Sequence, residues 1–424
     1  MALLVLVGLA LGLNGCTTPG DPGGAAGRNG DARGIQGALD ARAESVLARE
    51  VAPDDPAAQE LSHLADVPLA SWTYRILQVR QEGPRTAEVR AELSYTLEGH
   101  GAAGPVSGER ALKLWREREG SPWRVHDDRR AEGAAAQLWE QGRVDVVRGA
   151  RSLVLGVGHR KDRLRELAAV ADRAVPAVAE AWTEPWAQGV VVLMPPSVDA
   201  MGELLGEPAA GYRGIAAVTT GRTGGHRTGR AVGGGDRVIV NPEAYETLGD
   251  YGRRFVLTHE TAHVATRAHT SAATPLWLSE GFADWVAHRD SGAPGPARHP
   301  TAAPDRRASR GPSPVEAAPE LRRAVRAGKV PDALPGDADF TSGGDDTAAV
   351  ARAYEGGWLA CALIADRWGE AKLTAFYQAV GAHEDRGGAM EEAMRTVLST
   401  TPDAFTRLWQ DRLRQDLSSA DPAR

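Results

Sequence analysis

Residues 255–265 (FVLTHETAHVA) are the stretch on which the interpretation of this chain depends. Their apolar residues favour a buried helix, and they carry His259 and His263 four positions apart. Residues at that spacing lie on one helix face, so the two imidazoles can point at one metal ion. Glu260 follows His259 directly, rotated so that its carboxylate reaches a metal-bound water rather than the metal. The stretch predicts a metal site with Glu260 as general base, and a hydrolytic zinc site needs one further protein ligand.

Two downstream residues could supply the third ligand. Glu280 lies in residues 275–285 (PLWLSEGFADW), whereas His269 stands ten positions after His259, the spacing of the third His in metzincins. The metzincin pattern needs a Gly seven positions after the first His, and Thr266 occupies that position here. No Met follows before Met390, so a Met-turn is also missing from the sequence. We therefore expect Glu280 to be the ligand and His269 to be a helix-end residue that complements the helix dipole.

Residues 275–285 resemble the third-ligand helix of the gluzincin metallopeptidases. Asp284 falls four residues after Glu280 on the same helix face, and the resemblance implies that it accepts the outer N–H of His259. Residues 353–358 (AYEGGW) resemble the Tyr-Glu-x-Gly segment of gluzincin aminopeptidases, which implies that Tyr354 stabilises the oxyanion. The resemblance thus implies Zn²⁺ held by His259, His263 and Glu280, in a zinc metallopeptidase that hydrolyses peptide bonds.

Residues 143–420 as a whole resemble a peptidase-MA-like domain of the gluzincin type. The resemblance implies a zincin-type α+β sheet followed by a mostly helical C-terminal region, with an active-site cleft between them. Gluzincins also use an edge strand above the zinc to pair with the substrate backbone. Residues 214–219 are our first candidate for that strand, and residues 237–240 are the alternative.

The pattern of apolar residues predicts two units of the α+β class. Residues 35–142 read as a helix at 35–50 and then a four-strand antiparallel meander, which resembles the curved sheet of the NTF2-like fold. From residue 143 strands and helices alternate. We expect strands at 152–157, 190–194, 214–219 and 237–240, and helices at 163–182, 198–205, 250–268, 357–378 and 390–417.

The N-terminal residues predict export. Residues 3–13 (LLVLVGLALGL) are too short to span a bilayer comfortably and suit the core of a signal peptide, which we place at 1–15. Residues 13–16 (LNGC) resemble a bacterial lipobox and imply lipidation of Cys16, with residues 16–34 as a flexible Gly-rich tether. We therefore expect a lipoprotein anchored to the outer face of the cell membrane. The second cysteine, Cys361, lies in an apolar helical pattern and is expected in the core.

Two classes of function fit these features. The first is a peptidase acting on a peptide or protein substrate, and the second is an extracytoplasmic binding or sensing lipoprotein that retains a zincin fold without turnover. A net charge of −7 argues against a nucleic-acid partner, which would select a basic surface. Glu260 favours the enzyme, because a purely structural metal site needs no general base.

Overall fold

The computed structural model describes residues 29–99, 104–220, 235–290, 314–340 and 346–418. The predicted signal peptide, Cys16 and most of the predicted tether lie outside the described residues. The described chain is a mixed α+β fold with one antiparallel sheet, one mixed sheet and a helical C-terminal part, so the predicted fold class is confirmed.

The first unit is a helical segment followed by a four-stranded antiparallel meander in the order β1-β2-β3-β4. Along β2 buried residues alternate with more exposed ones, as expected for a sheet with one face in the core. The elements are α1 (Asn29–Ala48), α2 (Ala58–Ser62), β1 (Leu69–Gln81), β2 (Thr86–Leu97), β3 (Val106–Trp115) and β4 (Arg124–Arg130).

The first helix begins earlier than the sequence pattern indicates. The sequence predicts a flexible tether that includes residues 29–34, and this part of the prediction is wrong because α1 starts at Asn29. Asp31 in its first turn accepts hydrogen bonds from the side chains of Gln81 (2.6 Å) and Arg116 (2.8 Å). These partners lie at least 50 residues away along the chain, so no local pattern could reveal them.

The second sheet has five strands in the order β5-β6-β7-β9-β8. Its three central strands, β6, β7 and β9, are parallel, whereas β5 and β8 are antiparallel edge strands. The sequence pattern did not predict β5. The elements are β5 (Val144–Arg148), β6 (Ser152–Val157), α3 (Lys161–Ala181), β7 (Val190–Met194), α4 (Val198–Leu205), β8 (Ala217–Thr220) and β9 (Arg237–Val240).

Both faces of the second sheet are covered. Leu153 and Leu155 of β6 lie in one apolar cluster with Trp72 and Trp139 of the first unit. Val154, which points to the opposite face, packs in the cluster formed with the helices behind the sheet. Strands buried on both faces read as continuous apolar runs, and all six residues of β6 are buried. The first unit therefore shares its core with the second sheet.

The remaining elements are helices. Those from Leu276 onwards share a third core with α6 and the end of α3, and Cys361 is fully buried in it as expected. The α-helices that follow the second sheet are α5 (Pro242–Glu246), α6 (Asp250–Thr266), α7 (Leu276–Asp290), α8 (Pro314–Ala317), α9 (Pro319–Arg326), α10 (Thr347–Trp368), α11 (Glu370–Gly381), α12 (Ala389–Val397) and α13 (Pro402–Leu417).

Two long helices expected near the C-terminus are each interrupted. The helix expected at 357–378 breaks at Gly369, whose φ of 95° lies in the left-handed region that favours glycine. The helix expected at 390–417 breaks before Pro402, where the Thr401 hydroxyl accepts a hydrogen bond from Ala404 N and caps α13. Apolar periodicity continues across both breaks, so periodicity alone joins the helices.

Candidate metal centre

The two histidines of α6 face each other across one turn of the helix. His259 is fully buried and His263 is 5% exposed. Their Nε2 atoms lie 3.0 Å apart. The helix is buried along most of its length because it packs against both α3 and α7. Two imidazole nitrogens are thus held together within the core of the protein.

Glu280 of α7 converges on the same point. Its Oε2 lies 3.3 Å from His259 Nε2 and 3.5 Å from His263 Nε2. A tetrahedral ion with bonds of about 2.0–2.1 Å holds its ligand atoms about 3.3–3.4 Å apart, so the three separations suit such an ion. Among the described residues, no other group of three or more His, Cys, Asp or Glu side chains could hold a metal ion.

The donor set fits a cation in a second respect. Both carboxylate oxygens of Glu280 are buried, and within the described chain neither has a hydrogen-bond partner. Burying a carboxylate without a partner is costly, and a bound cation removes that cost. Burial acts to raise the pKa of Glu280, but His263 and His259 more than offset it and hold that pKa at about 2.

Asp284 lies behind His259, one helical turn beyond Glu280. Its Oδ1 is 2.8 Å from His259 Nδ1, so the ring donates Nδ1–H to the carboxylate and turns Nε2 towards Glu280. Burial acts to lower the pKa of His259, but the hydrogen bond to Asp284 and the negative charge of the nearby Glu280 carboxylate raise it to about 10. The surrounding carboxylates therefore stabilise positive charge at this imidazole, which a proton or a metal ion can supply.

Glu260 is fully buried beside the two imidazoles and is held by the edge strand β8. Thr219 Oγ1 lies 2.5 Å from Glu260 Oε2 and 3.0 Å from its carbonyl oxygen. The other carboxylate oxygen, Oε1, has no hydrogen-bond partner within the described chain. Burial raises the pKa of Glu260 above its ordinary value. The contact between Thr219 and Glu260 could not be predicted from the sequence, because only the packing of β8 against α6 brings the two side chains together.

The sheet order distinguishes the two candidate strands for substrate pairing. Residues 214–219 overlap β8, which lies at the sheet edge beside α6. The alternative, residues 237–240, is wrong because β9 is hydrogen-bonded to β7 on one side and to β8 on the other. Backbone groups used in this way on both sides cannot pair with an added strand.

Tyr354 of α10 lies close enough to the metal centre to interact with its charges. Burial raises the pKa of its hydroxyl well above the ordinary value, and the carboxylates of Glu280, Asp284 and Glu260 act in the same direction. The hydroxyl is therefore a proton donor at neutral pH. The ring packs edge-on against Phe340 at a centroid distance of 5.0 Å.

Gly281 and Gly357 allow α10 and α7 to pack closely against each other. A Cβ atom on Gly281 would lie 3.0 Å from the nitrogen of Trp358 and closer still to the carbonyl group of Gly357. A Cβ atom on Gly357 would lie 2.7 Å from the carbonyl oxygen of Trp277. Gly281 directly follows Glu280, and Gly357 is three residues after Tyr354. The close crossing thus fixes the positions of Glu280 and Tyr354 relative to each other.

Two other histidines lie outside the ligand group. His269 ends the helical segment and packs edge-on against Trp182 at a centroid distance of 5.4 Å, so Glu280 rather than His269 joins the two imidazoles. His288 is half-buried one turn beyond Asp284, where it packs against Phe255 at 4.8 Å and Trp358 at 4.2 Å between centroids. Burial lowers the pKa of His288 to about 3.

No protein-family model matches the chain, and no curated protein is significantly similar to it. Within the described residues, no helix combines the length and the apolar character needed to cross a membrane.

Proposed function

We propose that this protein is a zinc-dependent peptidase of the gluzincin type, with a peptide or protein as its substrate. The observation that carries the proposal is the convergence of His259, His263 and Glu280, with the Glu260 carboxylate buried beside them. Three protein ligands of the His₂Glu type that leave a fourth position open are the pattern of catalytic rather than structural zinc sites.

The proposed chemistry divides the work between the metal ion and the side chains around it. When bound, Zn²⁺ supplies a Lewis acid that acidifies water and polarises a carbonyl group. Glu260 would accept at Oε1 a proton from the water that attacks the peptide carbonyl carbon, because Thr219 occupies Oε2. It would then return that proton to the nitrogen of the leaving amine as the peptide C–N bond breaks. Asp284 keeps the His259 ring in the orientation that presents Nε2. The Tyr354 hydroxyl donates to the developing oxyanion.

Substrate binding in this proposal uses the edge strand β8. An extended peptide that pairs with β8 would run past Thr219, whose hydroxyl already contacts the proposed general base. Pairing with β8 would thereby bring the scissile peptide bond close to Glu260, the proposed general base. The four-residue length of β8 favours a short stretch of backbone recognition.

The catalytically silent binding lipoprotein is the weaker proposal. A unit that resembles the NTF2-like fold, which often serves as a binding or scaffold module, is what supports this alternative. Here Trp72, Tyr95 and Trp139 of that unit pack in one cluster with Leu153 and Leu155 of the second sheet. This packing favours a scaffold role for the unit. Lipid anchoring at Cys16 and location at the outer face of the membrane remain part of the proposal.

The test is the Glu260→Gln variant. We expect zinc content equal to that of the unmodified protein and loss of chelator-sensitive cleavage of casein or a peptide library. The control, Glu391→Gln, changes an exposed glutamate on α12 and should alter neither property. Unchanged cleavage by Glu260→Gln would contradict the proposal, as would an unmodified protein that binds no zinc. Undiminished turnover of Tyr354→Phe would remove Tyr354 from the scheme.

A further inference from the structure

An ion pair joins the end of α6 to the start of β9. Arg267 directly follows α6 and Asp236 directly precedes β9, and Arg267 Nε–H donates to Asp236 Oδ1 at 3.1 Å. Arg267 is only 8% exposed, and Asp236 is half-buried. Burial raises the pKa of Asp236 to about 6 against the opposing effect of Arg267, so the carboxylate is ionised at pH 8. The pair uses none of the residues assigned above to zinc or to peptide hydrolysis.

Arg267 lies on the same face of α6 as the proposed general base, Glu260. The backbone of Arg267 keeps helical φ and ψ angles of −48° and −47°. Seven residues turn an α-helix through about 700°, so the two side chains leave it within about 20° of one direction and about 10 Å apart along its axis. Glu260 accepts a hydrogen bond from Thr219 of β8, and Arg267 donates one to Asp236 at the start of β9. One face of α6 is therefore held against these two strands at two points.

Strand β8 is a four-residue edge strand whose hydrogen-bonded neighbour in the sheet is β9. Thr219 lies opposite Val238, and Asp236 stands two residues before Val238, so the two contacts with α6 are about 7 Å apart along the strands. A single contact would leave β8 able to pivot on α6. The second contact fixes the direction in which the strand crosses the helix, and with it the position of the Thr219 hydroxyl at the Glu260 carboxylate.

We propose that the ion pair between Asp236 and Arg267 positions β8 across α6 and thereby keeps the Thr219 hydroxyl on Oε2 of Glu260. Asp236 and Arg267 are positioning residues, which act on Glu260 through Thr219. Loss of Asp236 leaves the buried charge of Arg267 without this partner, which favours a shift of the strands that admits water. The effect on catalysis rests on the proposed peptidase function, whereas the ordering of β8 does not.

The first experiment measures amide hydrogen exchange of the full-length protein at pH 8 and needs no activity. Asp236→Ala should speed exchange in β8 by about tenfold or more, because a charge-assisted hydrogen bond that resists local opening is lost. Exchange in the central strand β6 should stay unchanged. The matched control is Asp31→Ala, which removes a half-buried carboxylate paired at 2.8 Å with the buried Arg116 of the first unit and should leave exchange in β8 unchanged.

The second experiment is a double-mutant cycle on kcat, with a peptide that the unmodified protein cleaves. Asp236→Ala should lower kcat about tenfold at unchanged zinc content, as expected for loss of the Thr219 hydroxyl itself in Thr219→Val. The double variant should match Thr219→Val alone within about twofold, because the ion pair acts through that hydroxyl. A mere loss of stability would instead add its effect to that of Thr219→Val. Asp31→Ala should leave kcat unchanged.

Either experiment can contradict this role of the ion pair. Equal exchange in β8 of the unmodified protein and Asp236→Ala would overturn the proposal, and so would an equal rise in β6 and β8, which global destabilisation produces. Unchanged kcat of Asp236→Ala, or effects of Asp236→Ala and Thr219→Val that multiply in the double variant, would overturn it as well. An unmodified protein that cleaves no peptide would contradict the proposed function, and exchange in β8 would then decide alone whether the ion pair positions the strand.

Discussion

Replacing Gly281 by alanine tests whether the close crossing of α7 and α10 holds the site together. The new methyl group would meet backbone atoms, which cannot rotate away as a side chain can. Moving Trp358 N from 3.0 Å to the ordinary limit of 3.4 Å already requires the two helices to separate, and the carbonyl group of Gly357 requires more. Overpacking of this kind costs about 3 kcal/mol, at the upper end of the usual range.

Alanine also has an intrinsic advantage over glycine in a helix. That advantage is about 1 kcal/mol, so we expect Gly281→Ala to lower the free energy of unfolding by a net amount of about 2 kcal/mol. Gly37 in the middle of α1 is the matched control, because a Cβ atom there meets nothing within 4 Å. Gly37→Ala should raise the free energy of unfolding by about 1 kcal/mol.

Urea unfolding in excess chelator measures both variants without a contribution from bound metal. The two substitutions should shift the midpoint in opposite directions, with unchanged dependence on urea concentration. Stabilisation by Gly281→Ala comparable to that by Gly37→Ala would refute the steric argument, and with it the view that this crossing sets the position of Tyr354.

Three further predictions concern single side chains. Asp284→Asn should weaken zinc binding about 10–100-fold in a chelator competition, because the orienting carboxylate is lost, whereas the exposed Asp411→Asn should not. Thr219→Val should lower kcat about tenfold at unchanged zinc content, since it removes the hydroxyl that holds Glu260; an unaltered kcat would count against that role. Burial raises the pKa of Glu355 from 4.5 to about 7, so from pH 4.5 to 7 the folded chain keeps a proton that the unfolded chain has lost. Stability should therefore fall as pH rises through that window, by about 3 kcal/mol for this group, and urea unfolding of Glu355→Gln should show a correspondingly smaller fall.

Much of the second sheet could be predicted from local sequence. Strands β6, β7 and β9 have the bounds that their apolar runs indicate, because strands covered on both faces contain few polar residues. Strand β5 was missed because it is a half-buried edge strand in which Asp145 and Arg148 interrupt the apolar pattern. Its position depends on pairing with β6, and the residues of β5 alone do not indicate that pairing.

The arrangement of the candidate site could also be predicted from the sequence only in part. The relative placement of His259 and His263 follows from helix geometry alone, and the i, i+4 spacing places Asp284 on the face of Glu280. That Glu280 meets the two imidazoles depends on how α7 packs against α6, and only a resemblance to known zinc sites suggested it beforehand. Thr219 could not be predicted, because its contact with Glu260 spans 41 residues and depends on the register of an edge strand.

The central claim is that His259, His263 and Glu280 together hold one zinc ion. Anomalous diffraction at the zinc absorption edge, from crystals of the protein grown with zinc, tests it most directly. We predict one strong peak about 2.0–2.2 Å from Nε2 of both histidines and from a carboxylate oxygen of Glu280. The absence of a peak at these atoms, or a peak that His269 rather than Glu280 ligates, would contradict the account.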